Sequence, residues 1–181
     1  SVGSTAASNA SLTYTGGAGD DSLTFGDYLA YDGTATFDMS RGGNNTLVAG
    51  TVAARADGLL SYIGGPGGDS LTFGNRLAAV SGTATFDLGS DSAVDTVTFE
   101  GTVAASSGNV SISNFGLGDS IVLQIFSNTD DVDFTATGVS DTRVTGTNVN
   151  FVISGVTTGS FSLTTNTSGH LVITDTGSVI P

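Results

Sequence analysis

The acidic side chains with the most regular spacing in this 181-residue chain follow glycine-rich turns. Residues 16–25 and 64–73 are two copies of one pattern, 48 residues apart, in which glycines precede an aspartate and the sequence Ser-Leu-Thr-Phe. The equivalent positions along the chain are 24, 24, 26 and 24 residues apart, and they are occupied by Asp21, Asn45, Asp69, Asp95 and Asp119. Oxygen atoms at such intervals could attract cations or accept hydrogen bonds from the backbone of their own turns.

The net charge of the chain favours cations as partners. The sequence contains no lysine, and its four arginines are outnumbered by sixteen aspartates and one glutamate, which gives a formal net charge of −13. A surface this acidic repels phosphate and anionic lipid, so nucleic acid is not expected as a partner. Bound divalent ions would relieve the repulsion among the carboxylates in the folded protein.

The elements that position these groups are predicted to be strands. Apolar and polar residues alternate with a period of two in short segments such as SLTF and TATFD, and no long window has the spacing of an amphipathic helix. GTATFD occurs at 33–38 and again at 82–87. The chain contains 27 glycines and few bulky apolar residues. Together with the repetition, this composition predicts an all-β fold: a β-solenoid, similar to a β-roll, with rungs of about 24 residues.

The pattern divides the chain into three parts. Residues 1–10 are small and polar and are expected to form a flexible N-terminal arm, and the solenoid repeats fill 11–126. Residues 127–181 lack the 24-residue pattern and contain short alternating segments typical of antiparallel hairpins. Because a solenoid end exposes unpaired backbone and core, we expect this part to be a C-terminal β cap. Tyr28 and Tyr31 are assigned to a turn within the first full rung.

The glycine turns resemble the calcium-binding nonapeptide of the RTX, or hemolysin-type, repeat family, G-G-x-G-x-D-x-U-x, where U is a large apolar residue. The defined positions are matched by Gly16, Gly17, Gly19, Asp21 and Leu23 in one copy and by Gly64, Gly65, Gly67, Asp69 and Leu71 in the other. The resemblance implies Ca²⁺ bound by glycine carbonyls and these aspartates, assisted by Asp20, with Asp95 and Asp119 at weaker copies. The alternative is that the glycines only form tight corners, in which each aspartate caps its own turn.

The resemblance covers residues 14–125 and departs from the family in its spacing. RTX copies usually follow one another about every nine residues and share ions between turns, whereas these copies are about 24 residues apart and two are intact. The rungs must therefore be larger than those of the family. RTX-like proteins are typically exported by type I secretion, which implies a location outside the cell or on its surface.

Catalysis finds little support in the sequence. His170 is the sole histidine, it follows the turn residues Ser168 and Gly169, and no recognisable nucleophile motif surrounds any serine. The protein is therefore not expected to be an enzyme. No apolar run is long enough to span a bilayer, and residues 1–10 lack the features of a signal peptide, so no transmembrane segment is expected.

Three functions agree with these features. The leading hypothesis is an extracellular structural protein, a calcium-stabilised subunit of a surface layer, matrix or filament that polymerises head to tail with itself, resembling bacterial S-layer proteins. The second is a carbohydrate-binding or adhesion module of RTX type, with a cell-surface polysaccharide bound in a groove lined by the arginines or by Tyr28 and Tyr31. The third is an ice-binding solenoid, which requires a flat threonine ladder on one face.

Overall fold

The computed structural model describes residues 5–78, 81–103, 108–137, 141–155 and 160–177. Within these ranges the regular structure consists of strands and short 3-10 segments such as Thr129–Asp131, so the all-β prediction is confirmed. The solenoid strands are β1 (Thr5–Ala6), β2 (Ser11–Thr15), β3 (Ser22–Phe25), β4 (Tyr28–Tyr31), β5 (Thr34–Asp38), β6 (Thr46–Ala49), β7 (Val52–Arg55), β8 (Leu59–Ile63), β9 (Ser70–Phe73), β10 (Arg76–Leu77), β11 (Thr83–Asp87), β12 (Thr96–Phe99), β13 (Thr102–Val103), β14 (Asn109–Ser113) and β15 (Ser120–Leu123). The remaining strands are β16 (Val132–Ala136), β17 (Asp141–Gly146), β18 (Val149–Ser154), β19 (Phe161–Thr165) and β20 (Leu171–Asp175).

Each rung of the solenoid contributes one strand to each of three faces. The A face is the column β3-β6-β9-β12-β15, the B face is β1-β4-β7-β10-β13, and the C face is β2-β5-β8-β11-β14. Neighbouring strands in every column are parallel and in register. The result is a β-solenoid of about four turns with the 24-residue spacing predicted from the sequence.

The core is built from identical positions of successive rungs. Phe25, Ala49, Phe73 and Phe99 are register partners on the A face, and Phe37, Tyr62, Phe86 and Ile112 are register partners on the C face. Phe73 contacts Phe86 across the core with ring centroids 4.8 Å apart. These equivalent positions point into the core because alternation sends every second side chain of each strand inward.

The segment containing Tyr28 and Tyr31 is a strand, so its assignment to a turn was wrong. Tyr28 pairs with Val52 and Tyr31 with Arg55 in the parallel B face. Aromatic residues favour strands, and the equivalent segment of the next rung also forms one. Thr5–Ala6, within the expected arm, forms β1 and pairs with β4, while residues 1–4 of that arm lie outside the described residues.

The C-terminal end of the solenoid is covered by antiparallel strands, as predicted. β20 pairs antiparallel with β15 and with β19, while β17 pairs antiparallel with β16 and β18. β18 pairs in parallel with the last strands of the B and C faces: Val149 lies beside Val103 of β13, and Val152 lies beside Ser111 of β14. One strand of the cap therefore closes two faces. No helix among the described residues has the length and apolar character that a membrane span requires.

Candidate functional site

The repeated acidic positions form one continuous column of side chains. The backbone N–H of Asp21 donates to Asn45 Oδ1 at 3.1 Å, and that of Asn45 donates to Asp69 Oδ1 at 2.9 Å. The N–H groups of Asp69 and Asp95 continue the series, donating to Asp95 Oδ1 at 2.6 Å and Asp119 Oδ1 at 2.8 Å. The predicted alignment is confirmed, and each side chain from Asn45 onward satisfies an amide of the preceding rung.

The column forms because each of its members lies directly before an A-face strand. Strands of a sheet lie about 4.8 Å apart, which a short carboxylate or amide side chain can span from one rung to the next. The amide that enters each strand would otherwise lack a ladder partner, and burying it unpaired would destabilise the fold. The column therefore extends the hydrogen-bond ladder of the A face by one position.

Two tyrosines complete the column, and sequence reasoning missed both. Tyr14 Oη donates to Asp21 Oδ1 at 2.9 Å, and Tyr62 Oη donates to Asp69 Oδ2 at 2.8 Å. Each tyrosine precedes its aspartate by seven residues, so the 48-residue repeat contained the signal. Burial and the hydrogen bond to Asp69 raise the pKa of Tyr62, which therefore stays a donor.

Three aspartates of the column are buried and hold their protons unusually tightly. Asp69, Asp95 and Asp119 are each 2% exposed. Burial raises the pKa of all three carboxyls, and the charges of Asp119, Asp69 and Asp91 help to raise the pKa of Asp95 to about 7. The column is therefore a hydrogen-bonded stack of carboxyl and amide groups, in which Asp95 binds its proton up to near neutral pH.

The aspartates of the two intact glycine turns are surrounded by hydrogen-bond donors. Asp21 accepts from Tyr14 and from the Gly17 amide, and Asp69 accepts from Tyr62 and from both nitrogens of Asn45. Ca²⁺ takes six to eight oxygen ligands. Among the described residues, no three acidic, histidine or cysteine side chains converge in a way suited to a metal ion. Asp21 therefore caps its own turn, whereas Asp69 links two successive rungs.

Close stacking of the rungs explains the glycines of the second copy. A Cβ on Gly64 would lie 2.6 Å from Leu88 O, one on Gly65 2.6 Å from Met39 O, and one on Gly67 2.1 Å from Gly43 O. A backbone oxygen cannot move aside without breaking the rung, so only glycine fits at these positions.

The first copy differs because no rung precedes it among the described residues. A Cβ on Gly19 would meet no atom within 4 Å, and one on Gly17 would meet only an ordinary contact. Gly16 alone is constrained, by the side chains of Asp21 and Met39. Glycine is thus kept at two positions where this rung leaves open space.

Asp20 belongs to a second, shorter column beside the first. Its Oδ1 accepts the Asn44 amide at 2.7 Å, and Asn44 Oδ1 in turn accepts the Gly68 amide at 3.0 Å. These side chains reach the following rung, whereas those of the first column reach the preceding one. Asp20 therefore accepts a hydrogen bond from the corner of the following rung.

The two ends of the solenoid differ in how well the core is covered. Leu12, Tyr14 and Leu23 of the first rung are partly exposed, whereas Leu47 and Leu71, the partners of Leu23 in the next rungs, are fully buried. In the part of the chain that the structure describes, β1, β2 and β3 each pair on one side only. We call these three strands, with the half-covered side chains of β2 and β3, the open end.

An aromatic corner lies on the B face near the open end. The rings of Tyr28 and Tyr31 meet edge to face, with centroids 5.9 Å apart, and Arg55 Cζ lies 5.4 Å from the centre of the Tyr31 ring. With Ser8 they line a shallow depression of about 300 Å³. Arg55 is therefore the one arginine that lines this depression, so a groove built from all four arginines does not form there.

The outward surface of the A face carries no charged side chain on its strands. Its first outward column is Ser or Thr throughout, at Ser22, Thr46, Ser70, Thr96, Ser120, Thr174 and Ser162. The second column mixes Thr with Val, at Thr24, Val48, Thr72, Thr98, Val122, Val172 and Thr164. The threonine ladder required of an ice-binding face is thus present only in part.

His170 lies in a hairpin turn, as expected from the sequence. Its backbone N–H donates to Asn166 Oδ1 at 3.0 Å, and the same oxygen accepts the Ser168 amide. These bonds close the turn between β19 and β20, which gives the segment a structural role.

Comparison with known proteins adds no further constraint. No protein-family model, curated protein or solved structure matches the chain significantly. Function must therefore be inferred from the geometry of the chain itself.

Proposed function

We propose that this protein is an extracellular structural subunit that joins copies of itself, in one direction, through the open end of its solenoid. The observation that carries the proposal is the difference between the two ends. The first rung leaves Leu12, Tyr14 and Leu23 partly exposed, whereas β20 and β18 of the cap pair with the strands of the last rung. Apolar side chains and unpaired strand edges at one end favour addition of a further strand layer.

The turn of the first rung supports the same proposal. Gly19 is the equivalent of Gly67 and Gly43, where a Cβ would collide with the rung before, at 2.1 Å and 2.2 Å. At Gly19 this space is free. The turn is therefore already shaped to accept another rung, and Asp21 is already placed to accept an amide from it, as Asn45 accepts the amide of Asp21.

Contact between two unlike ends propagates. A head-to-tail interface generates a filament or sheet unless the rotation closes it into a ring. An acidic protein without lysine, built from repeated strands, suits such a role outside the cell. Calcium is not required for this contact, because the column pairs its carboxylates with backbone and tyrosine donors.

The test is light scattering on chromatographed protein over a wide concentration range, with a matched pair of variants. Thr24→Lys adds a charge on the unpaired edge strand β3, and Thr98→Lys adds the same charge in the same outward column on β12, between paired neighbours. A charge on an edge strand blocks further pairing. We expect Thr24→Lys alone to lower the average mass. Wild-type protein that stays monomeric at high concentration contradicts the proposal, and equal loss in both variants shows packing of A faces instead.

A second candidate, polysaccharide binding, is favoured by the aromatic corner. Tyrosine rings present flat apolar surfaces to sugar rings, and an arginine pairs with a carboxylate. Tyr28, Tyr31 and Arg55 therefore suit an acidic sugar. Titration calorimetry with polygalacturonate and with neutral dextran tests this candidate. Binding of the acidic polymer that is lost in Tyr31→Ala and kept in Arg76→Ala supports it, and an absence of heat from either polymer rejects it.

A further inference from the structure

The strand directions of the A face are the same at its two edges. Among the residues that the structure describes, this sheet has seven strands, in the order β19-β20-β15-β12-β9-β6-β3. All strands from β3 to β15 are parallel, β20 is antiparallel to β15, and β19 is antiparallel to β20. Two successive reversals restore the direction, so β19 at one edge runs parallel to β3 at the other.

The two edge strands also present the same residues in the same register. β3 contains Ser22-Leu23-Thr24, and β19 contains Ser162-Leu163-Thr164. Following the pairing across all seven strands aligns Ser162 with Ser22, Leu163 with Leu23 and Thr164 with Thr24. In this inward column the two leucines at the ends are partly buried, while the members between them are fully buried.

Neither edge carries a feature that prevents pairing. Natural edge strands are commonly protected by charged residues or proline. β3 and β19 contain neither, although the chain has a net charge of −13. By contrast, β16, a free edge of the other sheet, carries the exposed Asp133. β3 and β19 are therefore two uncharged edges that would meet if copies stacked along the solenoid axis.

We propose that β19 of one copy pairs in parallel with β3 of the next copy, with the two Ser-Leu-Thr segments side by side. This inference rests on the proposed self-association and names its junction. The junction would cover Leu23 and Leu163 with each other and make the A face continuous from copy to copy. With about 4.8 Å between strands, seven strands per copy give an axial repeat of about 34 Å.

Cysteine cross-linking tests the junction directly, because the chain contains no cysteine. Thr24→Cys and Thr164→Cys, combined in one chain, would lie beside each other only across the junction, at a Cα separation of about 5 Å that suits a disulfide. Within one copy, the two strands are separated by five others, or about 29 Å, so they cannot cross-link internally. Both threonines are exposed, and unchanged circular dichroism of the reduced protein shows that the fold is intact.

We expect mild oxidation to give a ladder of covalent multimers that dithiothreitol collapses to monomer. The matched control combines Thr24→Cys with Thr135→Cys on the free edge β16 and should give no ladder. Two results would overturn this junction and leave the proposed self-association standing. One is association by light scattering without a ladder, and the other is equal ladders from the Thr24/Thr164 and Thr24/Thr135 cysteine pairs. A cysteine-free protein that remains monomeric overturns the proposed function itself, and with it the junction.

Discussion

Replacing Asp95 by asparagine tests whether the buried column is stabilised by protons or by negative charge. Asp95 is 2% exposed, and its Oδ1 accepts the Asp69 amide. The column already contains an asparagine in this role, since Asn45 Oδ1 accepts the Asp21 amide while its Nδ2 donates to Asp69 Oδ1 at 3.0 Å. The substitution Asp95→Asn would reproduce this arrangement further along the column, with Asp119 as the acceptor.

The size of the effect follows from the pKa. Burial and the neighbouring carboxylates raise the pKa of Asp95 from 3.8 to about 7. That difference corresponds to about 4 kcal/mol for a fully shielded group. Solvent near the turn screens the interaction, so we expect a contribution of about 2 kcal/mol to the free energy of unfolding. Because the pKa of Asp95 is higher in the folded protein, the folded state binds the proton more tightly than the unfolded state does. The stabilisation of the folded state by this proton is complete below pH 3.8 and is lost as the pH rises through about 7.

Wild-type protein should therefore be less stable at pH 8 than at pH 5. At pH 8 Asp95→Asn should raise the free energy of unfolding by about 2 kcal/mol, or the melting temperature by about 4–8 °C, and at pH 5 the difference should shrink. Urea unfolding followed by circular dichroism at both pH values measures this, with Asp133→Asn on exposed β16 as the control. An Asp95→Asn variant less stable than wild type at pH 8 would refute the reasoning and indicate that a cation neutralises the charge.

Three further predictions concern the corners and the column. Gly67→Ala should destabilise the protein by about 3 kcal/mol in urea unfolding, because the new Cβ would lie 2.1 Å from Gly43 O. Gly19→Ala should leave the stability of the monomer unchanged, because the new Cβ would meet no atom, but it should weaken the self-association measured by light scattering. Tyr62→Phe should cost about 1–2 kcal/mol in the same assay, because Asp69 loses its hydroxyl donor; a neutral result would mean that water replaces it. Chelator should leave the melting temperature unchanged, and a rise of several degrees on adding calcium would restore the metal-binding interpretation of the turns.

The periodicity of the sequence was enough to predict the length of the rung, because the same pattern recurs in every rung. Each rung places one member of the acidic column before an A-face strand, so five separate positions report the same spacing. The third strand per rung was harder to predict. Tyr28–Tyr31 and Val52–Arg55 share only the alanine at their third position, and what relates them is parallel pairing along the B face, which depends on the rest of the rung.

The partners of the column could not be predicted, because they are set by stacking and not by local sequence. Asp69 lies next to Gly68 in the chain, yet its oxygens accept from Tyr62 and from Asn45, seven and 24 residues away. A glycine turn that ends in an aspartate has the same local sequence whether its carboxylate meets an ion or an amide. The residues that the neighbouring strands place beside the carboxylate decide which of these it meets.

Rung length therefore explains how a motif resembling a calcium-binding repeat can serve as a structural corner. With copies about 24 residues apart, each full rung returns the aspartate to a point one strand spacing from its predecessor, opposite a backbone amide. The carboxylate then completes a hydrogen-bond ladder, and the glycines are required because neighbouring corners touch through backbone atoms. The same reasoning gives the open end its significance: Asp21 and Gly19 are the first members of columns that every later rung continues, so the surface most complementary to them is another rung of this kind.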